Sequence, residues 1–266
     1  MRLLLTAELG WNPRWFKWLD EGSTSYDLVA IAGDFIGVFR PEPLDLQILK
    51  AKAFLRSLAR KTRVAISSGN NDTVDEVDPS SRGPVPMWMA ALDTINTLVS
   101  DGRTSVVRQQ LIVTTLSYIS TIDRKRSWLT EGAELRKKTK LPWLVIHHHP
   151  PAFHRSAGPE ELSAGELLEE FEPTFWAAGR FFDHAHPRGF TWMQRIDQSV
   201  VLNVTQMSIA PVFREAVFPN HIVFDLKSGK MQWRSWLESA NEERTVNCHE
   251  PAVPVVNKPE NLTPRR

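Results

Sequence analysis

The chain has 266 residues, 42% apolar and 24% charged, enough to bury a large core and unlike a disordered or fibrous sequence. A net charge of +1 offers no electrostatic footprint for nucleic acid or an acidic membrane, and the single cysteine, Cys248, excludes an intramolecular disulfide and fits a reducing compartment. No apolar stretch approaches the roughly 18 residues of a membrane span and no charged-then-apolar leader opens the chain, so a cytoplasmic location is expected.

In chain order, Leu3 onward reads as a first strand running toward Glu8 and Gly10. Asn12 then caps a helix with Pro13 at its first position, and Trp15, Phe16, Trp18 and Leu19 recur at helical spacing as core aromatics and aliphatics before Asp20-Glu21-Gly22 ends it. The apolar run Leu28 to Ala32 stops at Gly33-Asp34, and Asp45 to Leu58 forms an amphipathic helix. A third strand, Val64 to Ser67, stops at Ser68-Gly69-Asn70-Asn71-Asp72, and an acidic, Ser- and Pro-rich loop fills Asp75 to Pro86. Met87 to Leu98 is expected to be helical, Leu111 to Tyr118 a strand, and Lys125 to Lys140 a basic helix with a solvated charged face.

The most informative run is Leu144-Val145-Ile146-His147-His148-His149-Pro150-Pro151, an apolar strand emptying into three histidines on a stiff turn. Neutral imidazole is the commonest protein metal ligand, and strand ends are where α/β folds bind ligands. Ser163 to Phe171 reads as an acidic helix, and Asp183-His184-Ala185-His186 offers two more imidazoles one residue apart. The strands His221 to Leu226 and Lys230 to Trp236 form a hairpin across Lys227-Ser228-Gly229. Residues 1–244 make one domain, and 245–266, with Pro251, Pro254, Pro259 and Pro264, a Pro-rich tail.

Each Gly-Asp or Gly-Asn-Asn-Asp is by itself an ordinary turn. Jointly, four strand ends in one α/β chain would gather Asp34, Asn70, His147 and His184 as a nitrogen and oxygen set suited to Mn, Fe, Zn or Ni.

This arrangement resembles the calcineurin-like metallophosphoesterase superfamily, whose motifs run D-x-H, G-D, G-N-H-D/E, H and G-H-x-H, over roughly residues 3–205. Gly33-Asp34 looks like the second motif, Gly69-Asn70 the third, His147 the fourth with His148 as fallback, and His184 with His186 the fifth. The resemblance implies a four-layered α/β sandwich of two sheets with a metal site at one rim. It implies Asp34 as the bridge between two ions, with Asn70, His147 and His184 completing one firm site and Glu8 and His186 serving a weaker second. The chain departs from the pattern at Glu8 and Gly10, which stand where the first motif has aspartate and histidine. Asn71 replaces the catalytic histidine of the third motif, and Asp183 replaces glycine in the fifth. Asn71 can donate a hydrogen bond but cannot transfer a proton near neutral pH.

The function this implies is hydrolysis of a small-molecule phosphate mono- or diester by a metal-bound hydroxide, with Asp34 and Asn71 in catalytic positions. The alternative is a catalytically impaired member of the fold that serves as a binding module, as the retromer subunit of this architecture does. Retention of one full ligand set favours the first, Gly10 and Asn71 the second. The sequence leaves the choice of ester and the oligomeric state open.

Overall fold

The computed structural model describes residues 1–37, 40–73, 77–78, 85–93, 95, 97–152, 158–180, 192–205, 216–235 and 241–246. The chain begins with β1 (Arg2–Thr6), α1 (Pro13–Gly22), β2 (Leu28–Ala32), α2 (Leu44–Lys61) and β3 (Arg63–Ser67). These parallel strands are apolar along their length because they are covered on both faces, and every residue of β2 is buried. Asn12 caps α1 through its side chain, which accepts from Arg14 N–H at 3.1 Å, and Trp15, Phe16 and Leu19 form the buried stripe.

A small hairpin, β4 (Val77–Asp78) and β5 (Val85–Pro86), precedes α3 (Met87–Ala90) and β6 (Leu98–Val99). The helix expected across Met87 to Leu98 is therefore only its first turn. Beyond Ala90 the backbone tightens into i→i+3 bonds at Leu92, Asp93 and Ile95. Tertiary partners override helix propensity here: Asp93 takes Ser100 Oγ and Arg103 Nη2 as partners, and Leu98 pairs with Val64 at the sheet edge.

The second half runs β7 (Thr104–Val107), β8 (Leu111–Thr115), α4 (Ile122–Thr139), β9 (Trp143–His147), α5 (Pro159–Phe171), β10 (Phe175–Ala178), β11 (Met193–Ile196) and β12 (Ser199–Asn203). Thr121 caps α4 and Pro159 opens α5, so the helices begin three and four residues before the starts expected at Lys125 and Ser163. The basic helix is not solvated throughout, since Lys125 is buried with Nζ donating to Tyr118 O at 3.3 Å. The antiparallel strands β13 (His221–Asp225), β14 (Lys230–Arg234) and β15 (Glu242–Thr245) complete the fold, and Val246, also buried, donates to Gly229 O.

Two mixed sheets result, ordered β15-β14-β13-β1-β2-β3-β6 and β11-β12-β10-β9-β8-β7. Alternate residues of each central strand enter different cores, as the pleat requires. Leu28, Ala30 and Ala32 join Leu144 and Ile146 between the sheets, while Val29 and Ile31 pack with α1 and α2 on one outer face. Trp143 and Val145 pack with α4 and α5 on the other. Four layers, helix, sheet, sheet and helix, follow from those three clusters. No helix among the described residues is long and apolar enough to cross a membrane.

Candidate metal centre

The parallel strands of both sheets empty at one rim. Gly33 and Asp34 leave β2 in the left-handed region, at φ 86° and 57°. Glycine is required at the first, since a Cβ would also lie 2.6 Å from His148 Nδ1. Glu8 and Trp11, beyond β1, are left-handed as well, at 50° and 54°. Backbone bonds onto the neighbouring loop hold this costly conformation: Glu8 N–H donates to Gly33 O at 2.9 Å, Gly10 N–H to Asp34 O at 2.8 Å, and Trp11 N–H to Phe35 O at 2.9 Å.

Beyond β3, Gly69 passes so close to Asp34 that a Cβ would sit 2.2 Å from its Oδ1. The short turn Asn70–Thr73 follows, and its fully buried Asp72 ties the two loops together. Asp72 Oδ2 accepts from Asp34 N–H and Gly69 N–H, both at 2.8 Å, and Oδ1 from Phe35 and Ile36 N–H at 2.9 and 3.2 Å. Burial, and then the neighbouring Asp34 charge, push the Asp72 carboxyl well above the usual range against those bonds. With donors filling every lone-pair direction there is no place for a proton, and the group is a carboxylate at neutral pH.

A chain of side-chain bonds then orients the donors. Asp34 Oδ1 accepts from Asn71 N–H at 2.9 Å and Oδ2 from Asn71 Nδ2 at 3.0 Å, while Asn70 Nδ2 donates to Asn71 Oδ1 at 2.9 Å. That turns Asn70 Oδ1 toward His148 Nε2, 3.1 Å away. His148 Nδ1 lies 3.0 Å from Ala32 O, which can only accept, so Nδ1 carries the proton and Nε2 presents a lone pair. Burial holds this imidazole below its ordinary pKa and so neutral. Asn70 Oδ1, His148 Nε2 and Asp34 Oδ2, the last at 3.8 Å from Nε2, are thus three acceptors aimed at one another. Glu8 joins them, with Oε2 accepting from Thr205 Oγ1. One atom each from Glu8, Asp34 and His148 lies within 4.8 Å of the others.

Of the two fourth-motif alternatives, the structure brings the fallback His148, and not the preferred His147, beside Glu8 and Asp34. Strand alternation decides it: His147 continues the Trp143 and Val145 face toward the outer helices, and His148 the Leu144 and Ile146 face toward the first sheet. His147 lies edge-on to Trp176, its Nδ1 is 3.2 Å from His149 O, and its buried Nε2 has no partner among the described residues. Burial pushes its pKa well down. His149 is held neutral in the same way, its pKa down to about 2, with Nδ1 3.1 Å from Glu161 Oε1 and Tyr118 stacked on its ring. His184 and His186, with Asp183 and His154, lie outside the described residues. Glu8, Asp34, Asn70 and Asn71 are brought together, and the pattern of strand ends had not revealed Asp72 as their anchor or Thr205 as the partner of Glu8.

The profile of the calcineurin-like phosphoesterase family matches residues 10–179, well over half of the chain. The chain belongs to that family. A search of curated proteins finds no match to it. Among solved structures, TT1561 of Thermus thermophilus aligns with a TM-score of 0.54 at 12% identity, covering 92% of this chain and 99% of that one, and shares the fold. Yfce, a phosphoesterase from E. coli, aligns at 12% identity over 93% of this chain and 100% of its own, with a TM-score of 0.44. Vps29 from Entamoeba histolytica aligns at 9% identity over 92% and 98%, with a TM-score of 0.43. Calcineurin-like phosphoesterases work with divalent metal ions, and this donor set fits one: two carboxylates, an amide oxygen and a neutral imidazole whose outer nitrogen is fixed by a carbonyl.

Proposed function

We propose that the chain is a metal-dependent hydrolase of a small-molecule phosphate mono- or diester, with a divalent Mn, Fe, Zn or Ni held by Glu8, Asp34, Asn70 and His148 and by His184 or His186. The observation that carries this reading is the convergence of Asn70 Oδ1, His148 Nε2 and Asp34 Oδ2, acceptors that repel one another unless a cation lies among them. When bound, such an ion lowers the pKa of coordinated water and neutralises charge on the transferring phosphoryl group.

The chain's own residues divide the remaining work. Asn71 clamps both oxygens of Asp34 and so fixes the carboxylate's direction. Ala32 O keeps the proton of His148 on the nitrogen facing away from the donors. Asn71 takes the position of the family's catalytic histidine and has no proton to transfer, so esters with good leaving groups are the expected substrates. General acid catalysis is typically worth about 10²- to 10⁴-fold, which bounds the loss on poor ones. The single cysteine accords with action in a reducing compartment such as the cytoplasm.

A second reading, a binding module on the same fold, is favoured by Gly10, which brings no side chain to the rim. Metal analysis of protein purified without chelator, followed by turnover of p-nitrophenyl phosphate and its bis ester with added manganese, separates the two. Bound metal and turnover, both lost in Asp34→Asn, support the hydrolase. A metal-free wild type inert on both esters leaves only the module.

A further inference from the structure

The first motif of this chain lacks the imidazole that would help hold a second ion, and another side chain reaches the same place. Arg40 is built in from three directions. Its N–H closes a turn onto Gly37 O at 3.0 Å, its Nε donates to Gly10 O at 2.9 Å, and its Cγ occupies the space a Cβ on Gly37 would need, 2.6 Å away. Its Nη2 lies 4.0 Å from where a Cβ of residue 10 would begin. A side chain at position 10 would therefore start against this guanidinium.

Gly10 is itself bonded through N–H to Asp34 O at 2.8 Å, which sets Arg40 on the rim beside the proposed metal ligands. Among the described residues the guanidinium has no carboxylate partner and no bond beyond the one from Nε. Arg40 is half-buried and its Nε is held by Gly10 O, which anchors the guanidinium at one edge and leaves its two Nη groups as a fork of donors without a partner among the described residues. A planar, permanently charged fork of this kind matches the oxygens of a phosphate. A guanidinium in that position also repels a second divalent cation.

We propose that Arg40 is a substrate-binding residue whose Nη atoms grip a phosphoryl oxygen, supplying from the protein the positive charge that a second ion would otherwise supply, so that the centre works with one ion and one guanidinium. This deepens the hydrolase reading and rests on it for the orientation of the phosphoryl group. It favours esters that leave at least two free phosphoryl oxygens, since one faces the ion and another the fork.

The test titrates inorganic phosphate into the full-length, manganese-loaded protein by calorimetry and counts manganese per chain by elemental analysis. Arg40→Gln should weaken phosphate about 10- to 100-fold, the scale of losing a charge-assisted hydrogen bond, with manganese still at one per chain. Arg40→Lys, which keeps the charge without the fork or the Nε clasp, should fall between. If Arg40→Gln does not fold, the lysine variant decides, with phosphate weakened at least threefold expected. Phosphate affinity within twofold of wild type in the deciding variant, a wild type that binds no phosphate, or two manganese ions per wild-type chain would each overturn the proposal. A wild type that binds no manganese would overturn the one-ion centre as well, whereas failure of the hydrolase reading alone is seen separately, as absent turnover by manganese-loaded protein or metal retained in Asp34→Asn.

Discussion

Replacing Asp72 with asparagine is the sharpest perturbation of the rim, because it alters one atom and tests the charge state of a wholly buried group. In the native side chain each oxygen accepts two backbone N–H bonds, from Asp34 and Gly69 on one and from Phe35 and Ile36 on the other. Asparagine keeps one oxygen and turns an NH2 toward the other pair, so two buried N–H groups lose their acceptor. At about 1–3 kcal/mol for each unsatisfied buried group, the cost is about 2–6 kcal/mol. That is a large share of the roughly 5–15 kcal/mol that holds a typical domain together. Urea denaturation of wild type and Asp72→Asn, compared at equal slope, measures it. The variant should also take up manganese more weakly, because the N–H of Asp34 is one of the four donors released or strained. A loss below about 1 kcal/mol would mean that a neutral side chain suffices at position 72, and would refute the assignment of a carboxylate.

Two other outcomes are expected. His148→Ala should abolish manganese uptake while His147→Leu leaves its stoichiometry unchanged, measured by elemental analysis after gel filtration; the reverse pattern would restore His147 as ligand. His221 is buried between Trp18 and Phe218 with Nδ1 2.8 Å from Pro219 O, and burial holds its pKa down to about 4. Above the unfolded value of about 6.5 it is neutral in both states and has no effect. As pH falls from there toward 4 only the unfolded chain takes up the proton, so stability drops, by about 3 kcal/mol at pH 4. Urea unfolding at pH 7.0, 5.5 and 4.5 should show His221→Phe losing about one proton's worth less stability over that range than wild type, and equal slopes would count against it.

The loops bearing Asp34 and Asn70 were legible because each signal is local, an apolar run and then a glycine and an oxygen donor, whereas the pairing of two sheets followed only from the family resemblance, the strand pattern alone giving no more than an α/β chain with antiparallel C-terminal strands. The choice among the three histidines was also written in the pattern, through the alternation of Trp143, Val145 and His147 against Leu144, Ile146 and His148, but it needs both outer and inner layers to be known. Thr205 and Arg40 gave no such signal, since one reaches Glu8 across 197 positions and the other reaches Gly10 across 30. Leu98 was drawn from helix to strand by Val64, and Lys125 turned inward to the Tyr118 carbonyl, both through partners remote in sequence. Short strands such as β10 and β11 lack the length to declare themselves before their neighbours are in place.

The hydrogen bond from His148 Nδ1 to Ala32 O joins the second sheet to the first, and the other nitrogen of the same ring faces Asn70 and Asp34, which belong to the first sheet. A cation gripped there becomes a rivet through both halves of the sandwich. Its loading is then coupled to the cohesion of the whole domain: saturation at about a hundred times its dissociation constant would add about 2.7 kcal/mol to the resistance of the fold against melting, and stripping it would loosen the seam between the two sheets.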